Sequence, residues 1–296
     1  MEQDKAIFAH SSNIVKGSLL AIFAFFCMAT FGVLTKIACT STDPIWVSFI
    51  TYCAAALTTS IFILPQGKEG IKSTRYRYLF ARGLIGTSAS FLYMVSMHYI
   101  SIINSTLLFN TAPIFIPVLT VCILHISIPI RTWLAVLIGF IGILIIIRPH
   151  GDILTEPGNL IGLASGFALA IAYLIMKYLT ATETGLRIIF YYFCTGVVMQ
   201  IPLLFLTDKP PSFESSLIAA SCGLTLMTAE LSIIRAYRYT TASAVGVYQY
   251  CAVVFMALYG WFLWRQLPSM LSIVGIVLVS AAGIFIITSK STVQNK

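Results

Sequence analysis

Charge is what this sequence has least of. Only ten residues are acidic and eighteen are Lys or Arg, so 9% of the chain is charged. Soluble domains carry about 25%, and a water-facing surface cannot be covered with so little. A soluble globular class is excluded. Histidine is almost as scarce: His10, His98, His125 and His150 stand singly, with no spacing that would let two share a metal. The seven cysteines are scattered, nearly all within apolar runs and never as CxxC, which leaves packing as their expected role. Enzyme signatures are missing as well: HExxH, GxSxG, a P-loop, and the paired acidic motif with which a lipid-phosphate transferase holds magnesium. Neither an enzyme nor a cofactor is expected. Without a nucleotide-binding motif, any uphill movement of a solute has to run on solute or ion gradients.

What remains is apolar. Hydrophobic residues make up 58% of the chain and mean hydropathy is +0.93. They fall in runs of about 20 residues, the length a helix needs to cross ~30 Å of hydrocarbon. Ten spans are predicted, at about 17–35, 45–64, 78–98, 103–124, 132–148, 159–177, 188–207, 215–236, 242–263 and 268–288. The joints carry Asp43-Pro44, Pro65-Gln66-Gly67, Pro129, Pro149-His150-Gly151, Pro157-Gly158, Pro210-Pro211 and Pro268. The first 16 residues are polar, and the run after them is long enough to span rather than to act as a signal h-region. The fold class is all-α integral membrane.

A net charge of +8 would point to nucleic acid in a soluble chain. Here the basic residues sit in loops, where membrane orientation places them, so no nucleic acid is expected. With the N-terminus on one side, fourteen of the eighteen Lys and Arg share that side. Lys36, Arg148, Lys209 and Arg265 lie on the other. The positive-inside bias then puts both termini in the cytoplasm.

The chain repeats itself. Gly17 and Leu19 open a run that closes on Lys36; 141 residues on, Gly158 and Leu160 open a run that closes on Lys177. The same offset relates Phe26 to Phe167, Ala29 to Ala170, Phe49 to Phe190, Cys53 to Cys194 and Gly142-Ile143 to Gly283-Ile284. A constant offset held across both ends of each half marks an internal repeat. The expected division is a tail at 1–16, repeats at 17–148 and 158–288, and a tail at 289–296. Five spans per repeat is an odd number, so the second copy enters the membrane inverted. Inverted repeats are how many secondary transporters build two interchangeable halves around a midplane site.

Ten spans in two five-span repeats, each ending in a Gly-rich apolar helix, resemble the EamA-type drug/metabolite transporter superfamily over nearly the whole chain. The matching pieces are Arg82-Gly83 in span 3, the turns Tyr99-Ile100-Ser101 and Tyr239-Thr240-Thr241, Ala112-Pro113 in span 4, and the closing helices with Gly139/Gly142 and Gly275/Gly283. Span 9 has no proline matching Pro113. The family pattern also places an acidic residue after spans 4 and 9, where this chain reads Ile126-Ser127-Ile128 and Arg265-Gln266. The resemblance implies a bacterial inner (plasma) membrane carrier of a small polar metabolite. It also implies a cavity lined by spans 1, 3, 4, 6, 8 and 9, with spans 5 and 10 outside.

Glu230 is the one acidic residue well inside a span, about 7 residues or ~10 Å from the end of span 8. Ionisable groups at membrane depth are costly and functional by default. Glu230 is expected to face a cationic substrate or carry a proton; the plain alternative is an ion pair with Arg235 or another nearby basic residue. Asn110 and Gln249 sit at similar depth in spans 4 and 9, as substrate contacts or as interhelical glue. Tyr93, Tyr173, Tyr248 and Tyr250 are candidates to line the cavity, where a cation or flat ring could stack. Lys36, Lys177 and Arg82 are expected to snorkel to the interfaces. Gly158, Gly162 and Gly166 form one small face for close helix packing.

A carboxylate among tyrosines suits a cationic, partly aromatic solute, which within the superfamily leans towards S-adenosylmethionine, taken up or exchanged for S-adenosylhomocysteine. An amino-acid or drug exporter is the alternative, and a non-transport membrane interaction protein a further one. The expected partners are a small-molecule substrate and the lipid bilayer, with a proton, a counter-substrate and a second copy of the chain as further candidates.

Overall fold

The computed structural model describes residues 13–100, 102–147, 157–207, 210–265 and 270–288. His10, Ser101, Arg148, His150, Lys209, Gln266, the side chain of His98 and most of both tails lie outside them. All described elements are helical. Spans 1 and 2 are Ile14–Ala38 and Pro44–Ile63, and span 3 is Tyr76–Tyr99. Span 4 is split into Ile102–Phe109 and Ala112–Leu124, and span 5 is Ile130–Ile147. Spans 6 to 10 are Pro157–Leu179, Gly185–Gln200, Phe213–Tyr239, Ala242–Trp264 and Met270–Thr288. Eight of these segments are long and apolar enough to cross a membrane, and Met270–Ile286 is a shorter apolar helix. Span 3 completes the ten. At 24 residues it is long enough, but it carries Arg77 and Arg82.

The polar joints are helix caps. The side chains of Asn13, Asp43, Thr184, Ser212 and Thr241 accept from the N–H of Lys16, Ile45, Arg187, Ser215 and Ala244. Each satisfies an N–H that the first helical turn leaves without a partner, which is costly near hydrocarbon. Between spans 2 and 3 the chain makes a short turn, Leu64–Gln66, and one extra helix, Gly67–Ile71.

Pairing of the helices carries the repeat into three dimensions. Span 1 packs on span 8 and span 3 on span 6; span 2 packs on spans 7 and 8; span 7 also packs on span 3; span 9 packs on span 1 and span 4 on span 6; span 5 packs on span 10. Exchanging each span for its repeat partner turns this set into itself. The bundle therefore has an internal two-fold, with the 2–7 and 5–10 pairs on its axis. Spans 5 and 10 cross at glycine: a Cβ on Gly142 would come within 2.9 Å of the Gly275 carbonyl oxygen, and one on Gly275 within 2.6 Å of the Gly142 oxygen. Van der Waals contact between close backbones is what holds helices together in lipid. Gly162 and Gly166 likewise let span 6 lie on Leu108 and on the break in span 4.

That break follows from Pro113. Proline has no N–H for the carbonyl of Phe109, so the helix stops there and Ile114 N–H turns to Thr111 instead, at 2.8 Å. Span 9, with no proline at the matching place, runs unbroken. Leu57, Ile61, Phe205 and Phe262 face outward and are exposed, as lipid-facing side chains must be.

Candidate functional site

Glu230 lies at the bundle centre, 3% exposed, and its partner is Arg82 of span 3 rather than Arg235. Arg82 Nη2 donates to Glu230 Oε2 at 3.0 Å, and Arg235 is exposed on the outside of span 8. The snorkelling expected of Arg82 is thus corrected: the side chain is 2% exposed and turns inward. The reason is a niche made for it. Gly86, one turn on, has no Cβ where Arg82 Nη1 sits, and the ring of Tyr192 covers the guanidinium, 4.3 Å from Cζ to centroid. The cation–π contact is strong in a desolvated site. Arg82 Nε and Nη1 are buried and have no hydrogen-bond partner among the described residues.

Tyrosines enclose the pair. Tyr192 and Tyr52 join their hydroxyls at 2.8 Å, linking spans 7 and 2 on the axis. Tyr173 and Tyr237, ring to ring at 6.3 Å, lie within electrostatic reach of both charges on the other side. Beyond Tyr52 a cavity of about 190 Å³ opens between spans 2, 3 and 7. Its walls include Ser48, Thr87, Phe91, Met94, Met199 and Gln200, and Thr87 Oγ1 and Gln200 Nε2 are buried without partners among the described residues. Spans 2 and 7 line this cavity together with span 3, which is the one of the six spans expected by resemblance that contributes to its wall.

The remaining candidates lie elsewhere. Gln249 Nε2 donates to Asn110 Oδ1 at 3.2 Å, and Asn110 Nδ2 to the Thr106 carbonyl at 2.9 Å, so the two amides bridge spans 4 and 9. Tyr93 shares a 2.8 Å hydrogen bond with Thr106 and packs on Phe109. The Tyr248 hydroxyl lies 2.7 Å from Ser18 Oγ and donates to the Gly283 carbonyl at 3.1 Å. Tyr250 is fully buried against Gly139 of span 5. Of the other six candidates, Tyr173 is the one within electrostatic reach of Glu230, while Asn110 and Gln249 meet each other. Tyr52, Tyr192 and Tyr237 escaped the sequence reading, and Arg82 was expected at the interface rather than beside Glu230. Arg82 alone carried a signal, as a cation inside an apolar run.

The end of the bundle on the cavity's far side is fastened by charge. Glu183, between spans 6 and 7, accepts from Ser73 Oγ and from Arg187 Nη1, both at 2.6 Å. Its carbonyl takes Arg238 Nη2 at 3.0 Å. Arg187 also reaches back to the carbonyls of Gly70, at 2.7 Å, and Glu69. Tyr191 donates to the Ile71 carbonyl at 3.1 Å, and Arg75 reaches the Tyr178 hydroxyl. Lys177, expected to snorkel, is instead 2% exposed and donates to the carbonyls of Tyr237 and Thr240 that span 8 leaves open at its end. On the opposite side, the repeat-equivalents of Glu183 and Arg187 are Thr42 and Trp46, and the loop is held by a Ser41–Ser215 hydroxyl contact at 2.9 Å.

A multi-pass helical bundle with an internal two-fold and a buried ion pair between spans 3 and 8 fits the class of inverted-repeat membrane carriers. The chain belongs to the EamA-like transporter family, whose model matches it twice, at residues 15–148 and 156–289. It is 26% identical over 278 residues to the pseudopaline exporter of Pseudomonas aeruginosa, covering 93% of this chain and 96% of that one. It is 24% identical over 261 residues to the S-adenosylmethionine uptake transporter of Rickettsia prowazekii, covering 87% of each. A solved crystal structure superposes with a TM-score of 0.79 at 14% identity, over 92% of this chain and 97% of the other, which speaks for the fold alone. These relatives are named as transporters, in line with the expectation of a non-enzymatic chain.

Proposed function

We propose that this protein is a secondary transporter of a small polar organic metabolite, set in a bacterial inner (plasma) membrane with both termini cytoplasmic. The observation that carries this reading is the Arg82–Glu230 pair, buried between spans 3 and 8 behind the Tyr192 ring, whose hydroxyl meets Tyr52 of the cavity wall. In this orientation the fastened end, with Glu183 and the basic loops, faces the cytoplasm. The cavity then belongs to an outward-facing state. Alternating access opens the latched end as the cavity closes around the loaded pair. Glu230, Arg82 and Tyr173 are the residues assigned to the solute, while Asn110, Gln249, Tyr93, Tyr248 and Tyr250 are held as support for the helices around it.

Among substrates, S-adenosylmethionine is favoured by the Rickettsia relative and by a cavity with Tyr52, Phe91 and two methionines for a ring to lie against. Likeness to the pseudopaline exporter favours the second reading, export of an amino-acid-like metabolite. The test is flux. Purified protein in proteoliposomes should take up labelled S-adenosylmethionine saturably, and faster when S-adenosylhomocysteine waits on the far side. Non-saturable uptake equal to empty vesicles, for S-adenosylmethionine and for amino acids, would reject the carrier reading.

A further inference from the structure

The ion pair has no counterpart under the two-fold. The repeat-equivalent of Arg82 is Gly223 and that of Glu230 is Ala89, both on the same two helices. One cation and one anion have therefore been set into a centre that the repeat itself fills with small apolar residues. Stability does not call for them, since replacing a buried ion pair by apolar groups of similar volume is often neutral or better.

The pair is also incomplete. Arg82 makes a single hydrogen bond, to Glu230, and its Nε and Nη1 are buried without partners among the described residues. Buried donors left in that condition are expensive, and more so when charged. A carboxylate is the group whose geometry and charge fit a guanidinium with donors to give. A plain cation is a poor fit. Drawn to Glu230, it would stand beside Arg82 and leave that guanidinium with no counter-charge in a low-dielectric core. A solute with an ammonium and a carboxylate on one carbon avoids both costs. It can exchange partners with the pair while the buried charge stays balanced, loaded or empty.

The route in is equally defined. Tyr52 and Tyr192 connect the cavity to the guanidinium: Tyr52 lines the cavity, its hydroxyl meets that of Tyr192, and the Tyr192 ring covers Arg82. We propose, resting on the carrier reading above, that Arg82 and Glu230 together bind the zwitterionic α-amino-acid head of the substrate. The carboxylate is taken by Arg82 and the ammonium by Glu230, the Tyr52–Tyr192 contact is the partition that parts to admit it, and the rest of the solute lies in the cavity against Phe91, Met94 and Met199.

The experiment is a binding comparison on the purified full-length chain in nanodiscs, by calorimetry, with matched probes. S-adenosylmethionine is set against its decarboxylated form, and L-phenylalanine against phenethylamine and hydrocinnamate. At least one intact head should bind about tenfold or more tightly than its partner lacking the carboxylate or the ammonium. Arg82→Gln with Glu230→Gln keeps the centre neutral, so the double variant should keep its thermal stability and lose that preference. Equal binding of S-adenosylmethionine and its decarboxylated form, with no discrimination in the phenylalanine set, overturns the proposal. So does binding by no probe, or a well-folded double variant that still prefers the intact head. Head-selective binding without flux in vesicles would reject the carrier reading and leave this site standing.

Discussion

Glu230 and Arg82 show what a buried charge requires of its neighbours. Each is desolvated, and each is tolerated because the other is 3.0 Å away. Removing one partner leaves the second without compensation, so Glu230→Gln should destabilise the protein by about 3–5 kcal/mol. The paired Arg82→Gln/Glu230→Gln change should recover most of that, since the two sites are in direct contact and their effects are coupled. Thermal unfolding of the purified variants reads both. If the single variant unfolds with the parent protein, Glu230 is not held by Arg82 in the folded state. The sequence could not have shown this partnership. Arg235 stands five residues from Glu230 on the same helix, whereas Arg82 is brought in from 148 residues away by the packing of span 3 across the axis. Depth along the helix was legible for Glu230. For Arg82 it was misleading, because only the niche made by Gly86 and Tyr192 turns the side chain inward.

The joints at the two ends of the bundle are held by different chemistry. At the latched end, Glu183 holds the loop before span 3 and the start of span 7 through its carboxylate, and the end of span 8 through its main-chain carbonyl. Three N–H-bearing nitrogens of Arg187 reach three different oxygens, which only a planar guanidinium can do. Glu183→Gln should therefore release this end, and Arg187→Lys should act in the same direction despite keeping the charge. The measurement is maleimide labelling of a cysteine placed at the buried Thr180, in a background without other cysteines. Its rate should rise several-fold in either variant, and an unchanged rate would show that the latch lies elsewhere. Helix ends were largely readable in the sequence, since Asn13, Asp43, Thr184, Ser212 and Thr241 act within a turn of their own position. The latch was not, because it joins loops more than a hundred residues apart.

At the level of the bundle, the repeat was legible for the same reason that the latch was not. Hydropathy and a fixed offset can be read along one dimension, and the two-fold they imply reappears in which helices touch. The cavity wall was not legible: spans 2 and 7 owe their place to the axis and not to any motif of their own. What orients the whole assembly is again a matter of the chain alone. Loops rich in Lys and Arg are retained on the cytoplasmic side during insertion. Asn13 donates to the Tyr239 carbonyl at 3.3 Å, which sets the beginning of span 1 at the same end as the 8–9 turn. That end also holds the basic loop from Lys68 to Arg77. A reporter fused after Lys72 and another at the C-terminus should both read cytoplasmic, and one after Asp152 periplasmic. If the C-terminal reporter were periplasmic, the number of crossings would be odd, and the second repeat could not be the inverse of the first. If all three reporters were reversed together, the two-fold would survive but the latched end would face outward. The structure would then be the inward-facing state of a carrier whose cavity collects its solute from the cytoplasm.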